Sequence, residues 1–332
     1  MDYFFSIIIT TYNRKALLLQ CLSSIQLQNS NIPFEVCIVN DGSTDGTELL
    51  LQQHTFSYPV SMISLNRSGP AQAKNIGAEE SKGKYIVFME DDVIAQSGWL
   101  QNAYEFLTDE TIDVLEGKTI YQTTKKAVRS FDDNGYFSFI PCNLFIRRDL
   151  FLKTGGYDTS FNSVNENLYF REDTELGFRL MEFKIKIQKA DNVVVEHPEQ
   201  FNTMKSSFRH ALRYRYDALL YKKHPRKFRK YLDVKKIFGL KLHRIHHYLY
   251  LLYIFICFLA AFLFLTHQNT AGYISIVILI MLAFIVRMKY QQKKAFRLYL
   301  LNETFGYFIL PFVYFYGLVK GCLRYKSFGA LL

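Results

Sequence analysis

Residues 85–92 read YIVFMEDD: five apolar, β-favouring residues that run straight into three carboxylates. A short uncharged run rich in β-branched and aromatic side chains predicts a buried strand. The same device stands twice upstream. Residues 4–9 (FFSIII) lead into Thr10-Thr11-Tyr12-Asn13, and residues 34–39 (FEVCIV) lead into the turn formers Asn40-Asp41-Gly42-Ser43. Between them, Leu17, Cys21, Leu22 and Ile25 recur at helical spacing and predict a helix over 16–28. Helices over 44–53 and 70–80 and a third strand over 60–64 complete a β-α-β-α-β-α-β order. Such alternation predicts an α/β fold with a mostly parallel central sheet and right-handed crossovers. Ligands of these sheets sit beyond the carboxyl ends of the strands. That places 10–13, 40–43 and 90–92 on one edge.

Each cluster on that edge has a chemical and a plain reading. Glu90-Asp91-Asp92 repel one another unless a cation sits among them, and their oxygens suit Mg²⁺ or Mn²⁺ bound together with a substrate phosphate. The plain alternative is a solvated strand end that caps the next helix. The turn-rich run 40–46 places Ser43 or Thr44 to cap a helix, while a carboxylate there would suit a nucleobase N–H. Ser68-Gly69-Pro70 reads as a cap followed by Pro in the first helical turn. That helix N-terminus, with Arg67 and Lys74, would attract phosphate. The chain has no Walker lysine loop and no G-x-G-x-x-G after a strand, which disfavours kinase-type and dinucleotide sites. Glu172 and Asp173 precede an amphipathic helix over 174–181. The helix dipole is reason enough for both acids; the sharper reading makes Asp173 a general base with Glu172 shaping its surroundings. His197 follows an apolar run and precedes Pro198, either as a structural imidazole or as the completion of a metal site.

The formal charge of +10 is divided by position: residues 1–200 hold 18 basic and 27 acidic side chains, residues 201–332 hold 22 and 3. Such asymmetry predicts an acidic head and a basic tail that meets an anionic surface. Two uncharged stretches of the tail, 248–265 and 271–286, approach the about 20 residues that cross a bilayer. A third, 305–319, is shorter and broken by Pro311. The expected organisation is a globular head over 1–200, basic amphipathic juxtamembrane helices over 201–247, and membrane segments over 248–332, the first two spanning and the third interfacial or re-entrant. Lys and Arg flank both spans and are missing between them, so the head is expected on the cytoplasmic face of an inner or plasma membrane. Membrane lipid is an expected partner. Nucleic acid is not, because the basic residues adjoin the apolar stretches rather than the head. Five scattered cysteines without a C-x-x-C pair indicate neither a disulfide framework nor a cysteine zinc site and fit a reducing compartment. The N-terminus, MDYFFSIIIT, lacks the pattern of a signal peptide.

Five motifs together resemble a family 2 glycosyltransferase of the GT-A fold: SIIITTYNR (6–14), EVCIVNDGSTDGT (35–47), GPAQAKNIGAEESKGKYIVFMEDDV (69–93), NLFIRRDLFLKTGGYD (143–158) and REDTELGFRL (171–180). The resemblance covers residues 4–200. It implies a GT-A nucleotide-binding domain and an inverting, metal-dependent transfer of a sugar from a nucleotide-diphosphate donor. The acceptor implied is a hydroxyl of a lipid-linked saccharide or glycan at the cytoplasmic membrane face, in cell-surface polysaccharide assembly; direct transfer to a polyprenyl phosphate is the alternative. The resemblance implies donor contacts from Thr10, Tyr12, Asn40, Asp41, Lys74 and Asp91, and Mg²⁺ or Mn²⁺ on Asp92 and His197. It also implies Asp173 as base beside Glu172. Glu90 takes the first place of the family's D-x-D element. Lys74 stands where Arg is frequent, keeping the charge but losing bidentate phosphate binding. Residues 131–143, with Asp132, Asp133, Tyr136, Phe137 and Phe139, would face the acceptor. Two other classes compete: a glycoside hydrolase, which also needs paired carboxylates but no nucleotide pocket, and a non-catalytic membrane scaffold.

Overall fold

The computed structural model describes residues 3–28, 31–122, 139, 141–198, 204–232, 234–237, 240–266, 276 and 300–331. The chain divides into two compact units, Met1–Glu199 and Gln200–Leu332. In the first, strands β1 (Phe5–Thr11), β2 (Phe34–Asn40), β3 (Val60–Ser64) and β4 (Tyr85–Glu90) alternate with helices α1 (Lys15–Gln26), α2 (Thr47–Gln53) and α3 (Pro70–Glu80). Then follow β5 (Ile94–Ala95), α4 (Trp99–Leu107), β6 (Val114–Tyr121), β7 (Leu144–Arg147) and α5 (Arg148–Lys153). After the short pair β8 (Asn162–Ser163) and β9 (Leu168–Tyr169) come α6 (Glu172–Leu180) and β10 (Ile187–His197).

The main sheet has eight strands in the order β3-β2-β1-β4-β7-β6-β10-β5. Strands β1 to β4 are mutually parallel, as their alternation with helices requires. The rest departs from expectation. β7 runs antiparallel to both β4 and β6, and β5 runs antiparallel to β10. The sheet is mixed, not mostly parallel. Strand direction depends on how the intervening chain crosses the sheet, and a four-residue strand such as LFIR carries no sign of that in its own residues.

Successive side chains point to opposite faces of a strand, and both faces here are covered. Ile7, Ile9, Ile38, Val87 and Phe145 pack against Leu18, Leu22 and Ile25 of α1 and Trp99 and Leu100 of α4. Ile8, Val39, Ile86, Phe88 and Leu144 pack against Ala71, Ala73 and Ala78 of α3 and Leu176 and Leu180 of α6. Apolar residues at every position, not alternate ones, are what a sheet covered on both sides demands. The parallel register sets Thr11 beside Asn40 and Thr10 beside Glu90, so the polar strand ends are level.

The second unit contains α7 (Met204–Leu212), α8 (Arg215–Lys223), α9 (Pro225–Tyr231), an antiparallel pair β11 (Val234–Ile237) and β12 (Leu240–His243), α10 (Ile245–Leu265) and α11 (Leu300–Tyr325). The strand pair interrupts the helical run expected over 201–247. Gly317 and Gly321 let α11 approach the backbone of α7 and α8: a Cβ at Gly321 would lie 2.1 Å from the Arg215 carbonyl oxygen. Buried Arg244 pairs with buried Asp217 at 3.4 Å and donates to the Ala330 carbonyl at 2.7 Å.

Among the described residues no helix is long and apolar enough to cross a membrane. The sequence of α11 includes Asn302, Glu303, Pro311 and Lys320. This overturns the expected helical membrane tail and transmembrane segments. It also overturns the location at an inner or plasma membrane that rested on them. The proposed span 271–286 lies outside the described residues apart from Ile276.

Candidate functional site

The acids at the end of β4 meet a histidine about a hundred residues away through one small pairing. β5 follows Glu90-Asp91-Asp92 almost at once and pairs antiparallel with the end of β10, Ala95 opposite Val195 and Ile94 opposite Glu196. The chain thus doubles back so that His197 comes alongside the triplet. A register shift in β10 between Ala190 and Val194 precedes it. Asn143 holds that irregular stretch, donating to the carbonyls of Val193 (2.9 Å) and Lys118 (3.0 Å) while accepting from the buried Trp99 indole at 2.9 Å. A bulge re-aims the strand beyond it.

The result is a compact donor set. Ligand atoms of Glu90, Asp92 and His197 all lie within 4.8 Å of one another. His197 Nε2 stands 3.4 Å from Glu90 Oε2 and 3.6 Å from Asp92 Oδ1. Its Nδ1 lies 2.7 Å from the Pro198 carbonyl oxygen, which fixes the proton on Nδ1 and turns the Nε2 lone pair of the neutral ring toward the acids. Asp92 Oδ1 is buried without a hydrogen-bond partner. An orphaned carboxylate oxygen is costly; beside a second carboxylate and an imidazole lone pair it fits a divalent cation. Burial and the charge of Glu90 raise the Asp92 pKa, against His197 and Arg14, which lower it. Burial works to raise that of Glu90 too, but the hydrogen bond to His197 and the charge of Lys74 bring it below the usual carboxylate range. Asp91 takes no place in this set. Its oxygens accept from the Thr11 hydroxyl at 2.8 Å and Arg14 Nη1 at 3.0 Å, and burial raises its pKa.

The residues expected around the nucleotide form a second cluster. Asn40, buried, accepts from the backbone N–H of Ser43 at 3.0 Å and shapes the turn after β2. Asn13 ties the loops after β1 and β2 together, donating to Ser43 Oγ and accepting from the Thr44 N–H. Asp45 accepts from the first N–H of both α1 (Lys15, 2.9 Å) and α2 (Thr47, 3.1 Å), so α2 begins three residues later than expected. Asp41 carries four donors: Ser68 N–H (2.5 Å), Ser68 Oγ (2.9 Å), Gly69 N–H (2.9 Å) and Arg67 Nη1 (3.3 Å). A carboxylate has about four acceptor sites, so a base N–H would have to displace one of them. Tyr12, exposed, has the Arg67 guanidinium stacked 3.4 Å from its ring centroid. Thr10 sits on β1 between Val39 and Glu90. Lys74, buried on α3, has its ammonium 5.4 Å from the ring centroid of Tyr157.

Tyr157 connects these clusters to the expected base. Its ring packs on Phe88 and Phe151, and its hydroxyl is buried without a partner. Burial, then the charges of Asp173, Glu172 and Glu90, raise its pKa. Asp173 and Glu172 occupy the first turn of α6, which starts two residues earlier than expected. Asp173 accepts from the Thr174 N–H at 2.6 Å.

Sequence reasoning set a cation among Glu90, Asp91 and Asp92 but named only Asp92 and His197 as its ligands, and it missed Arg14 and Thr11, which bind the acids. The need for a cation beside three carboxylates was the signal available for Arg14. The acceptor segment expected over 131–143 lies mostly outside the described residues; Phe139 is buried against Gly177.

Several known proteins are similar to this chain. The glycosyltransferase AglE of Haloferax volcanii is 24% identical over 192 residues, 53% of this chain and 63% of its own. The chain thus spans less than two thirds of the length of that curated relative. A mannosyltransferase of Pyrobaculum calidifontis, solved with GDP-Man and Mn²⁺, matches 98% of this chain and 88% of its own, with a TM-score of 0.55 at 17% identity. Residues 1–349 of Staphylococcus aureus TarS, solved with UDP-GlcNAc, cover 68% of this chain and 72% of that one, with a TM-score of 0.51 at 18% identity. The two structures share the fold. The model of glycosyl transferase family 2 matches residues 6–177, from β1 through the acidic triplet to the first turns of α6, and on that match the chain belongs to glycosyl transferase family 2.

Proposed function

We propose that this chain transfers a sugar from a nucleotide-diphosphate donor to a hydroxyl of a glycan acceptor, inverting the anomeric carbon, with a divalent cation held by Glu90, Asp92 and His197. The observation that carries the reading is that cluster, with its orphaned Asp92 oxygen; Glu90 and Asp92 lie within the family-matched region, 6–177, and His197 follows it. When bound, the cation neutralises charge on the departing diphosphate as a Lewis acid. An imidazole among the ligands favours Mn²⁺ over the oxygen-loving Mg²⁺. Lys74 adds positive charge from α3, and the face of Tyr12 offers a stacking surface for the base once Arg67 moves aside. Asp41 and Asn40 hold the loops that border that face.

Asp173 is the base. It takes the acceptor hydroxyl proton as that oxygen attacks the anomeric carbon on the side opposite the diphosphate. The new C–O bond forms as the bond to the diphosphate oxygen breaks, which inverts the centre. Glu172 places a second carboxylate beside Asp173 in the first turn of α6. The donors found in the two solved relatives, UDP-GlcNAc and GDP-Man, are the first to offer. With Mn²⁺ and either water or an added oligosaccharide as acceptor, the Asp173→Asn variant should keep its donor-induced melting shift while nucleotide release falls by about 10²- to 10⁴-fold. Turnover near that of the unaltered protein would remove Asp173 as the base.

A further inference from the structure

Three adjacent carboxylates cannot all serve one cation alike, and their contacts differ. Asp91 is satisfied on both oxygens, Oδ2 by the Thr11 hydroxyl at 2.8 Å and Oδ1 by Arg14 Nη1 at 3.0 Å. The same Arg14 nitrogen donates to Asp92 Oδ2 at 2.9 Å. Asp92 is left with Oδ1, buried, without a hydrogen-bond partner and 3.6 Å from His197 Nε2.

From this geometry we infer that Arg14 is a positioning residue that assigns the ligands of the acidic triplet. It withdraws Asp91 from the cation and turns Asp92 so that Oδ1 joins Glu90 and His197. The inference rests on the reading above that this cluster takes a cation. Groups that orient a metal-binding carboxylate change metal affinity by about 10- to 100-fold when removed. Because one nitrogen makes both contacts, a Lys ammonium can replace it. A Gln amide can donate hydrogen bonds but brings no charge, which separates the two effects.

The test is titration of the full chain with Mn²⁺ alone, followed by the electron paramagnetic resonance of free and bound ion, on the unaltered protein, Arg14→Gln and Arg14→Lys. Thermal melting of each checks the fold. Arg14→Gln should bind Mn²⁺ at least about tenfold more weakly, with a changed bound-ion spectrum, and Arg14→Lys should restore most of the affinity. Equal affinity in Arg14→Gln would reduce Arg14 to a surface ion pair, and tighter binding would make it a competitor of the cation. Either result overturns the inference while leaving the cation site standing. If the unaltered protein binds no Mn²⁺, both readings fall.

Discussion

At His197 the two ring nitrogens have separate tasks. Nδ1 holds the Pro198 carbonyl, and Nε2 faces Glu90 and Asp92. Without an ion, a proton on Nε2 can take its place between the acids. Burial lowers the His197 pKa, but the hydrogen bond to Glu90 and the charge of Asp92 outweigh it, and the net shift is upward from 6.5. A raised histidine pKa stabilises the fold fully below the unfolded value, about 6.5, and that contribution is lost as pH rises through the folded value. A cation needs the neutral ring, so proton and ion compete. We expect the ion-free protein to lose its melting-temperature advantage over His197→Gln as pH climbs above about 6.5. Over the same interval Mn²⁺ affinity should rise. A melting difference and an affinity both flat with pH would contradict this role. Asp92 and His197 were readable as candidates because acids at a strand end and a lone histidine stand out in sequence. That His197 meets Glu90 and Asp92 was not, because the β5–β10 pairing that brings it there is only two residues long.

At the scale of elements, the turn between α5 and β8 shows how the site is held. Gly155 and Gly156 have φ of +81° and +69°, a region that L side chains enter at a cost. They deliver Tyr157 to Asn75 of α3, whose amide donates to the Tyr157 carbonyl (2.8 Å) and accepts from its N–H (2.7 Å). Arg179 of α6, paired with Glu175, donates to the Thr154 and Gly156 carbonyls. One turn thus joins the helices that carry Lys74 and Asp173. A Cβ at Gly156 would meet Asn75 Oδ1 at 2.5 Å, whereas at Gly155 nothing lies within 4 Å. Gly155→Ala should therefore cost about 1 kcal/mol from φ alone, and Gly156→Ala more, about 2 kcal/mol or above, as the Asn75 clamp is pushed aside. Denaturant melts of the pair decide it; equal losses would show that the clamp does not matter. Strands β1 to β4 and helix α3 were legible because apolar runs and turn residues alternate there. The antiparallel β7 was not, since direction is a property of connections rather than of a strand's own residues.

For the whole molecule, the structure separates what composition had merged. The acidic residues that matter to the site belong to the first unit, on a mixed sheet whose carboxyl edge gathers residues spread from Thr10 to His197. The second unit has its own buried ion pair and its own helix packing, and among its described residues the basic, apolar composition that suggested membrane spans takes the form of helices and a strand pair, with no helix long and apolar enough to cross a membrane. The direct measurement of the central claim is calorimetric binding of UDP-GlcNAc and of GDP-Man to the full chain, with Mn²⁺ and with EDTA, repeated on Asp92→Asn. We expect one of the two donors to bind only with Mn²⁺, and that binding to vanish in Asp92→Asn while the melting temperature stays close to that of the unaltered protein. Donor binding that survives EDTA, or that is undiminished in Asp92→Asn, would contradict a cation held by Glu90, Asp92 and His197.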